Sequence, residues 1–313
     1  MNTTINNTFM RNAIMIVLAL LSQNAIAQQD IMISQYMFNG LFLNPAYSGS
    51  HRHTEATLLH RRQWVNFPGA PVTNIFGIDA PIAKQKMGLG FLFASESIGA
   101  TDQVDLFGNY SYHLKVGKGK LSLGLRAGGS LVSANLAQLK TNQLGDEAFS
   151  NIQTRFLPKF GTGIYYYTKK YYAGLSIPTL IAYESGRSFG VDLNASTTMR
   201  RHFFLTGGYV FEISDAVKLK PSTLIKYEPS APLQADINLN VLLNNVFWIG
   251  VSYRTGEAAV SIIEYQINQM FRIGYAYDYN LTEIRKFSSG SHEIMFGINF
   301  GKEVLKTKNP RYF

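Results

Sequence analysis

The chain has no cysteine in 313 residues. Disulfides, thiolate metal sites and a cysteine-linked lipid anchor are therefore excluded. Charge is sparse as well: 16% of residues are charged, against roughly 25% in ordinary soluble domains. Beyond the N-terminus every apolar run is short and broken by Gly, polar or charged residues. None reaches the roughly 20 residues that a membrane-spanning helix needs. A processed chain of this kind meets a membrane only as a closed barrel, because open strand edges cannot sit in hydrocarbon.

The one longer apolar stretch is an address. Arg11 supplies positive charge, Ala13 to Leu21 are apolar, and Ala25-Ile26-Ala27 is a small-x-small cleavage signature. Residues 1–27 read as a signal peptide cleaved after Ala27, with the mature chain starting at Gln28. The formal charge of +9 is dispersed except in the tail, where Lys302, Lys306, Lys308 and Arg311 gather. An exported chain with scattered basic residues is not expected to bind nucleic acid.

What is abundant is strand-forming. Aromatics make up 13% of the chain, and hydrophobic residues alternate with polar ones over and over. Successive side chains of a strand point to opposite faces. A membrane-barrel strand therefore reads apolar outward and small or polar inward for about 10 residues. In 232–243, Ile237, Leu239 and Val241 oppose Asp236, Asn238 and Asn240. In 270–280, Ile273, Tyr275 and Tyr277 oppose Arg272, Gly274 and Asp278. In 120–131, Leu123 and Leu125 oppose Gly124 and Arg126; in 189–200, Val191 and Leu193 oppose Asp192 and Asn194. A soluble sandwich would alternate too, but here the polar faces mix Gly, Ser and Asn with both charge signs, as a lumen would. Tyr165 to Tyr167 and Tyr171-Tyr172, flanking a tight turn, suggest an interfacial girdle.

Fifteen segments qualify as strands: 53–65, 71–80, 87–96, 103–116, 119–132, 157–167, 171–179, 187–200, 203–213, 217–228, 232–243, 246–254, 259–266, 270–280 and 290–300. Bacterial single-chain barrels use even numbers, so fourteen are expected. The poorly alternating 259–266 is the one to drop. The fold class is thus an all-β transmembrane antiparallel barrel over 52–300, with a basic tail at 301–313. Residues 28–51 do not alternate and read as a periplasmic lead-in or a lumen plug. Tight turns at 115–120 and 168–170 mark the periplasmic end, and the long connections 134–156 and 281–291 mark the cell exterior.

No G-x-S-x-G nucleophile elbow appears and no cofactor is called for, so a non-catalytic role is expected. His51 and His53 could share a face, but solvated loop residues account for them better than a metal does. His292 and Glu293 are strand neighbours and point apart, which disfavours an acid–base couple. Glu293 is expected to pair with Arg272 or Arg254. The candidate lumen ion pairs draw on Arg126, Asp192, Asp236, Arg254, Arg272, Asp278 and Glu293. Asn44-Pro45 starts a turn, which either steers the chain into strand one or builds a plug or docking site from Tyr36, Phe38, Asn39, Asn44, Pro45 and Tyr47. Trp64 is expected to anchor at the interface.

Gln35-Tyr36-Met37-Phe38-Asn39 followed by Asn44-Pro45-Ala46-Tyr47-Ser48-Gly49 resembles the N-terminal motif of the PorP/SprF family. Further matches run in order through Arg62-Gln63-Trp64, Phe67-Pro68-Gly69-Ala70-Pro71, Leu175-Ser176-Ile177-Pro178, Gly274-Tyr275-Ala276-Tyr277-Asp278-Tyr279 and Ser289-Gly290-Ser291-His292-Glu293-Ile294. The main departure from the family pattern is the short tail after Phe300. The resemblance implies an outer-membrane barrel of the type IX secretion and gliding system. Its implied partners are a secreted adhesin with a C-terminal sorting domain, periplasmic ring components of the machinery, or both, besides outer-membrane lipid. A diffusion porin is the alternative.

Overall fold

The computed structural model describes residues 31–135, 152–180, 201–229 and 231–300. Its strands are β1 (Thr54–Arg62), β2 (Val72–Ile82), β3 (Met87–Ile98), β4 (Thr101–Val116) and β5 (Gly119–Asn135). They continue as β6 (Ile152–Tyr167), β7 (Tyr171–Ile177), β8 (Phe203–Tyr209), β9 (Phe211–Glu212) and β10 (Val217–Tyr227). The last are β11 (Gln234–Leu243), β12 (Phe247–Arg254), β13 (Ala258–Gln266), β14 (Phe271–Asn280) and β15 (Ser291–Phe300).

Fourteen of these strands pair antiparallel in chain order, and β15 returns to β1 with Thr54 opposite Phe300. The ring is closed and leaves no edge. The two-residue β9 lies outside that count: it follows β8 past Val210 and pairs with the same partner, β10. The expected fourteen is the observed number, but the surplus segment is a different one. Residues 259–266 belong to β13, in full register with β12 and β14. Segment 187–200, with Asp192, lies outside the described residues, and the ring closes without it, β7 bonding directly to β8.

Burial follows the period of two. Asp236, Asn238 and Asn240 of β11 are buried, whereas Ile237 between them is 61% exposed. Leu106, Leu125, Phe160, Ile164, Val251 and Ile273 likewise stand outward on their strands. Such a belt is stable only against hydrocarbon. No helix among the described residues is long and apolar enough to cross a membrane; the strands do the crossing.

Why β13 alternates so poorly is now evident. Ala258, Val260 and Ile262 face inward and join an interior apolar cluster with Ile31, Ile33, Met37 and Phe38 of the lead-in. The inner face of this strand meets apolar side chains, so its polar half of the pattern is missing. The tyrosine girdle also divides. Tyr166 and Tyr171 meet at a tilt outside, 6.0 Å apart, and Tyr171 lies parallel to Tyr209 at 6.2 Å. Tyr165, Tyr167 and Tyr172 turn into the lumen and are buried.

The hairpins 83–86, 117–118, 168–170, 213–216, 244–246 and 267–270 all fall at one end, here the turn end. Both Asn244 and Asn245 have positive φ, as the tight hairpin turn requires. Connections 63–71 and 281–290 fall at the opposite, loop end, and the strand ends that bound 136–151 lie there too, so the two long connections start from the same end as expected; residues 136–151 themselves lie outside the described residues.

A lumen filled by the N-terminal segment

Residues 31–50 lie inside the ring rather than beneath it. The chain crosses from the loop end to the turn end in three single turns: Tyr36–Phe38, Gly40–Leu43 and Pro45–Tyr47. Inside an apolar wall their backbone groups would be orphaned. The strands supply the partners instead.

Near the loop end, Glu293 of β15 accepts the backbone N–H groups of Ser34 and Gln35, both at 2.8 Å. The Ser34 hydroxyl donates to Asp278 at 2.8 Å. Arg61 of β1 bridges the group, reaching Asp278 at 2.8 Å and Glu293 at 3.2 Å. Arg254 lies 3.2 Å from Asp236 and 3.6 Å from Asp278. Four sequence candidates, Asp236, Arg254, Asp278 and Glu293, thus meet in one buried network around Ser34. The pairing differs from the expectation: Glu293 is held by Arg61, not by Arg272 or Arg254. Arg61 escaped the sequence reading, although Glu55, Thr57, Leu59 and Arg61 form one alternating face of β1.

Midway along, Lys220 lies between three rings, with its Nζ 5.6 Å from Phe38, 5.8 Å from Tyr172 and 5.7 Å from Trp248. Asn238 donates to the Tyr36 hydroxyl at 2.6 Å. Among the described residues Arg126 has no carboxylate ion pair. It donates to the carbonyls of Leu41 at 2.6 Å and Phe42 at 3.2 Å, and to Asn109. A guanidinium at the last carbonyls of a helical turn satisfies acceptors that the turn itself leaves open.

Toward the turn end, the Asn44 side chain caps the Pro45–Tyr47 turn through Ala46 N–H at 2.9 Å and donates to Ile164 O at 3.0 Å. Ser176, Ser122 and Ser111 donate to the carbonyls of Leu43, Ala46 and Ser48 at 2.7, 2.6 and 2.6 Å. The glycines between them are just as specific. A β-carbon on Gly124 would collide with the Ala46 backbone, and one on Gly163 with the Asn44 side chain. The small residues that suggest a wet lumen are therefore a fitted seat for the lead-in.

At the corner where the lead-in joins β1, Tyr47 packs edge-on to His51 at 5.0 Å and to Tyr165 at 5.5 Å. His51 is buried beside Glu55, so the expectation of a solvated loop histidine is corrected. Burial, reinforced by His51, lowers the His53 imidazole to about 4, so it is neutral at physiological pH. Arg272 of β14 pairs with Glu55 and approaches Glu264 at 4.0 Å. Tyr36, Phe38, Asn39, Asn44, Pro45 and Tyr47 are all inside the barrel. Trp64 is not: it lies in loop 63–71 against Phe67.

The two loops 63–71 and 281–290 are tied together. Val65 N–H donates to Gly290 O and Ser289 N–H to Val65 O, both at 2.9 Å, and Asn66 bonds Ser289. Phe67 and Phe287 remain exposed on this joined pair, Phe287 to 66%.

A closed ring, an apolar outer belt and a buried charge network inside define a transmembrane β-barrel of the bacterial outer-membrane type. The family described as type IX secretion system membrane protein PorP/SprF matches residues 25–298, and the chain belongs to it. It is accordingly an outer-membrane protein associated with type IX secretion. Among solved structures, the CymD monoaromatic hydrocarbon channel is similar, with 14% identity over 88% of this chain and 95% of that one, at a TM-score of 0.52. The Ralstonia pickettii toluene transporter TbuX aligns over 85% of this chain and 93% of that one, with 10% identity and a TM-score of 0.49. No curated protein matches the chain. The CymD likeness concerns the fold alone. Family and fold are of a non-enzymatic kind.

Proposed function

We propose that this barrel serves type IX secretion as a non-conducting docking platform in the outer membrane. The lead-in acts as its plug. The partner is a secreted adhesin carrying a C-terminal sorting domain, held at the loop end, with periplasmic ring components as contacts at the turn end. The reading rests above all on the lead-in: residues 31–50 occupy the lumen and are bonded to the wall along their length, so the interior holds chain where a porin holds water. The joined loops 63–71 and 281–290, with Phe67 and Phe287 exposed, offer the partner an apolar anchor of the kind that dominates interface energetics.

The test is a paired measurement on the processed chain. In planar bilayers the barrel is expected to give little or no steady current. From detergent extracts of the native cells it is expected to co-purify with a large surface protein. Sustained single-channel conductance together with recovery of the barrel alone would establish the diffusion-porin reading instead.

A further inference from the structure

We propose that His51, His53 and Glu55 form a site for a divalent transition-metal ion of the zinc class, at the corner where the lead-in turns into β1. The three residues sit at alternate positions where the bend 51–53 runs into β1, and their ligand atoms gather in one place. One ligand atom from each lies within 4.8 Å of the other two. Zinc held tetrahedrally at about 2.1 Å from each ligand sets donor atoms about 3.4 Å apart. A shift of about 1.4 Å in one imidazole closes the difference, well within a side-chain rotation.

Two further observations point to a missing cation. First, His51 Nε2 is buried 2.8 Å from Glu55 Oε2, yet the two are not aligned as donor and acceptor. An imidazole nitrogen and a carboxylate oxygen at that separation are ordinary neighbours in a coordination shell. Second, Glu55 on β1 stands directly opposite Asp79 on β2, and both carboxylates are buried. Like charges directly opposite across a strand pair destabilise it. Asp79 receives the Gly49 N–H at 2.6 Å. Arg272, which pairs with Glu55, also faces Glu264. Arg272 and Lys220 are the cations facing Glu55, Asp79 and Glu264. By formal count three carboxylates face two cations there, and a divalent ion at His51, His53 and Glu55 offsets the difference.

Two nitrogen donors and one carboxylate favour zinc, and by the same chemistry cobalt or nickel, over calcium or magnesium, which take oxygen ligands. Water or Asp79 completes the shell. Because His51 ends the lead-in while His53 borders β1 and Glu55 lies on it, the ion fastens the end of the lead-in to the wall. Binding then stabilises the seated form by mass action.

The experiment uses the full processed barrel folded in detergent, with any purification tag removed and metal stripped by chelation. Titration with Zn2+ is expected to fill a single site and to raise the unfolding temperature, and Co2+ is expected to give the visible absorption of a tetrahedral centre. Excess Ca2+ and Mg2+ should not displace either. His51→Ala and His53→Ala are expected to weaken Zn2+ binding by at least about tenfold to a hundredfold, while His60→Ala, on the exposed face of β1, leaves it unchanged. Equal binding by the wild type and the His51→Ala/His53→Ala double variant would overturn the proposal. Should those variants fail to fold, the wild-type Co2+ spectrum decides: no tetrahedral band, no site.

Discussion

The carboxylate of Glu293 accepts the backbone N–H of Ser34 at 2.8 Å while its other contacts hold Arg61. One side chain of the last strand thus holds the lead-in at Ser34 and closes a charge network spanning β1, β11, β12, β14 and β15. Removing it should be felt at the lead-in first. Breaking a buried pair leaves its partner uncompensated, at a cost of about 3–5 kcal/mol. In Glu293→Ala, hydrogen exchange of residues 34–50 is expected to accelerate sharply, while β4 and β5, remote from the network, stay protected. Glu293→Gln, which keeps an acceptor oxygen, should show a smaller effect. Uniform exchange across the barrel in both variants would mean that the lead-in is not a separately releasable unit.

The absence of cysteine makes orientation directly measurable. Phe287 lies in a loop-end connection and Lys118 in a turn-end hairpin. Phe287→Cys is expected to react with a membrane-impermeant maleimide on intact cells. Lys118→Cys is expected to react only after the outer membrane is permeabilised. The reverse pattern would invert the barrel and move the docking surface to the periplasm.

Much of this fold is written in the alternation. Ile237 and Asp236 take the faces their positions dictate, because a strand has no other way to separate grease from charge. What alternation cannot encode is the lead-in. Val260 and Ile262 looked out of phase because their partners, Ile31 and Ile33, come from a segment with no periodicity of its own. The same blindness affected the lumen glycines. Gly124 and Gly163 read as generic small lining, whereas each answers a particular backbone or side-chain approach. Arg126 was legible as a lumen charge but not as a cap for Leu41 and Phe42, since carbonyls leave no mark in a sequence. His51 gave no sign of burial, because that depends on how Tyr47 folds back against it.

If the joined loops 63–71 and 281–290 hold the partner, Phe67 and Phe287 carry that contact disproportionately, as exposed aromatics at interfaces do. Both lie outside the strands and outside the charge network. Phe67→Ser with Phe287→Ser is therefore expected to leave the unfolding temperature of the barrel unchanged. Recovery of the large surface protein in a pull-down should fall by about tenfold or more, corresponding to about 1.4 kcal/mol. Undiminished recovery would transfer the docking role to other surfaces.

Two glycines separate the seat from the wall. Gly124 faces inward, and any side chain there meets the Ala46 backbone; Gly108 faces the membrane, and a β-carbon there has only the Ala127 carbonyl, at 3.9 Å, for a neighbour. Overpacking against immovable backbone costs about 1–3 kcal/mol or more, whereas an added apolar side chain toward lipid costs little. Gly124→Leu should therefore displace the lead-in without opening the ring: the folded band of the barrel on a cold gel persists, and conductance appears in planar bilayers. Gly108→Leu should fold and remain silent. Current from both variants would place the leak in the wall itself, and current from neither would show that the lead-in can be reseated around a new side chain, so that the fit at Gly124 is looser than its close approach to Ala46 implies.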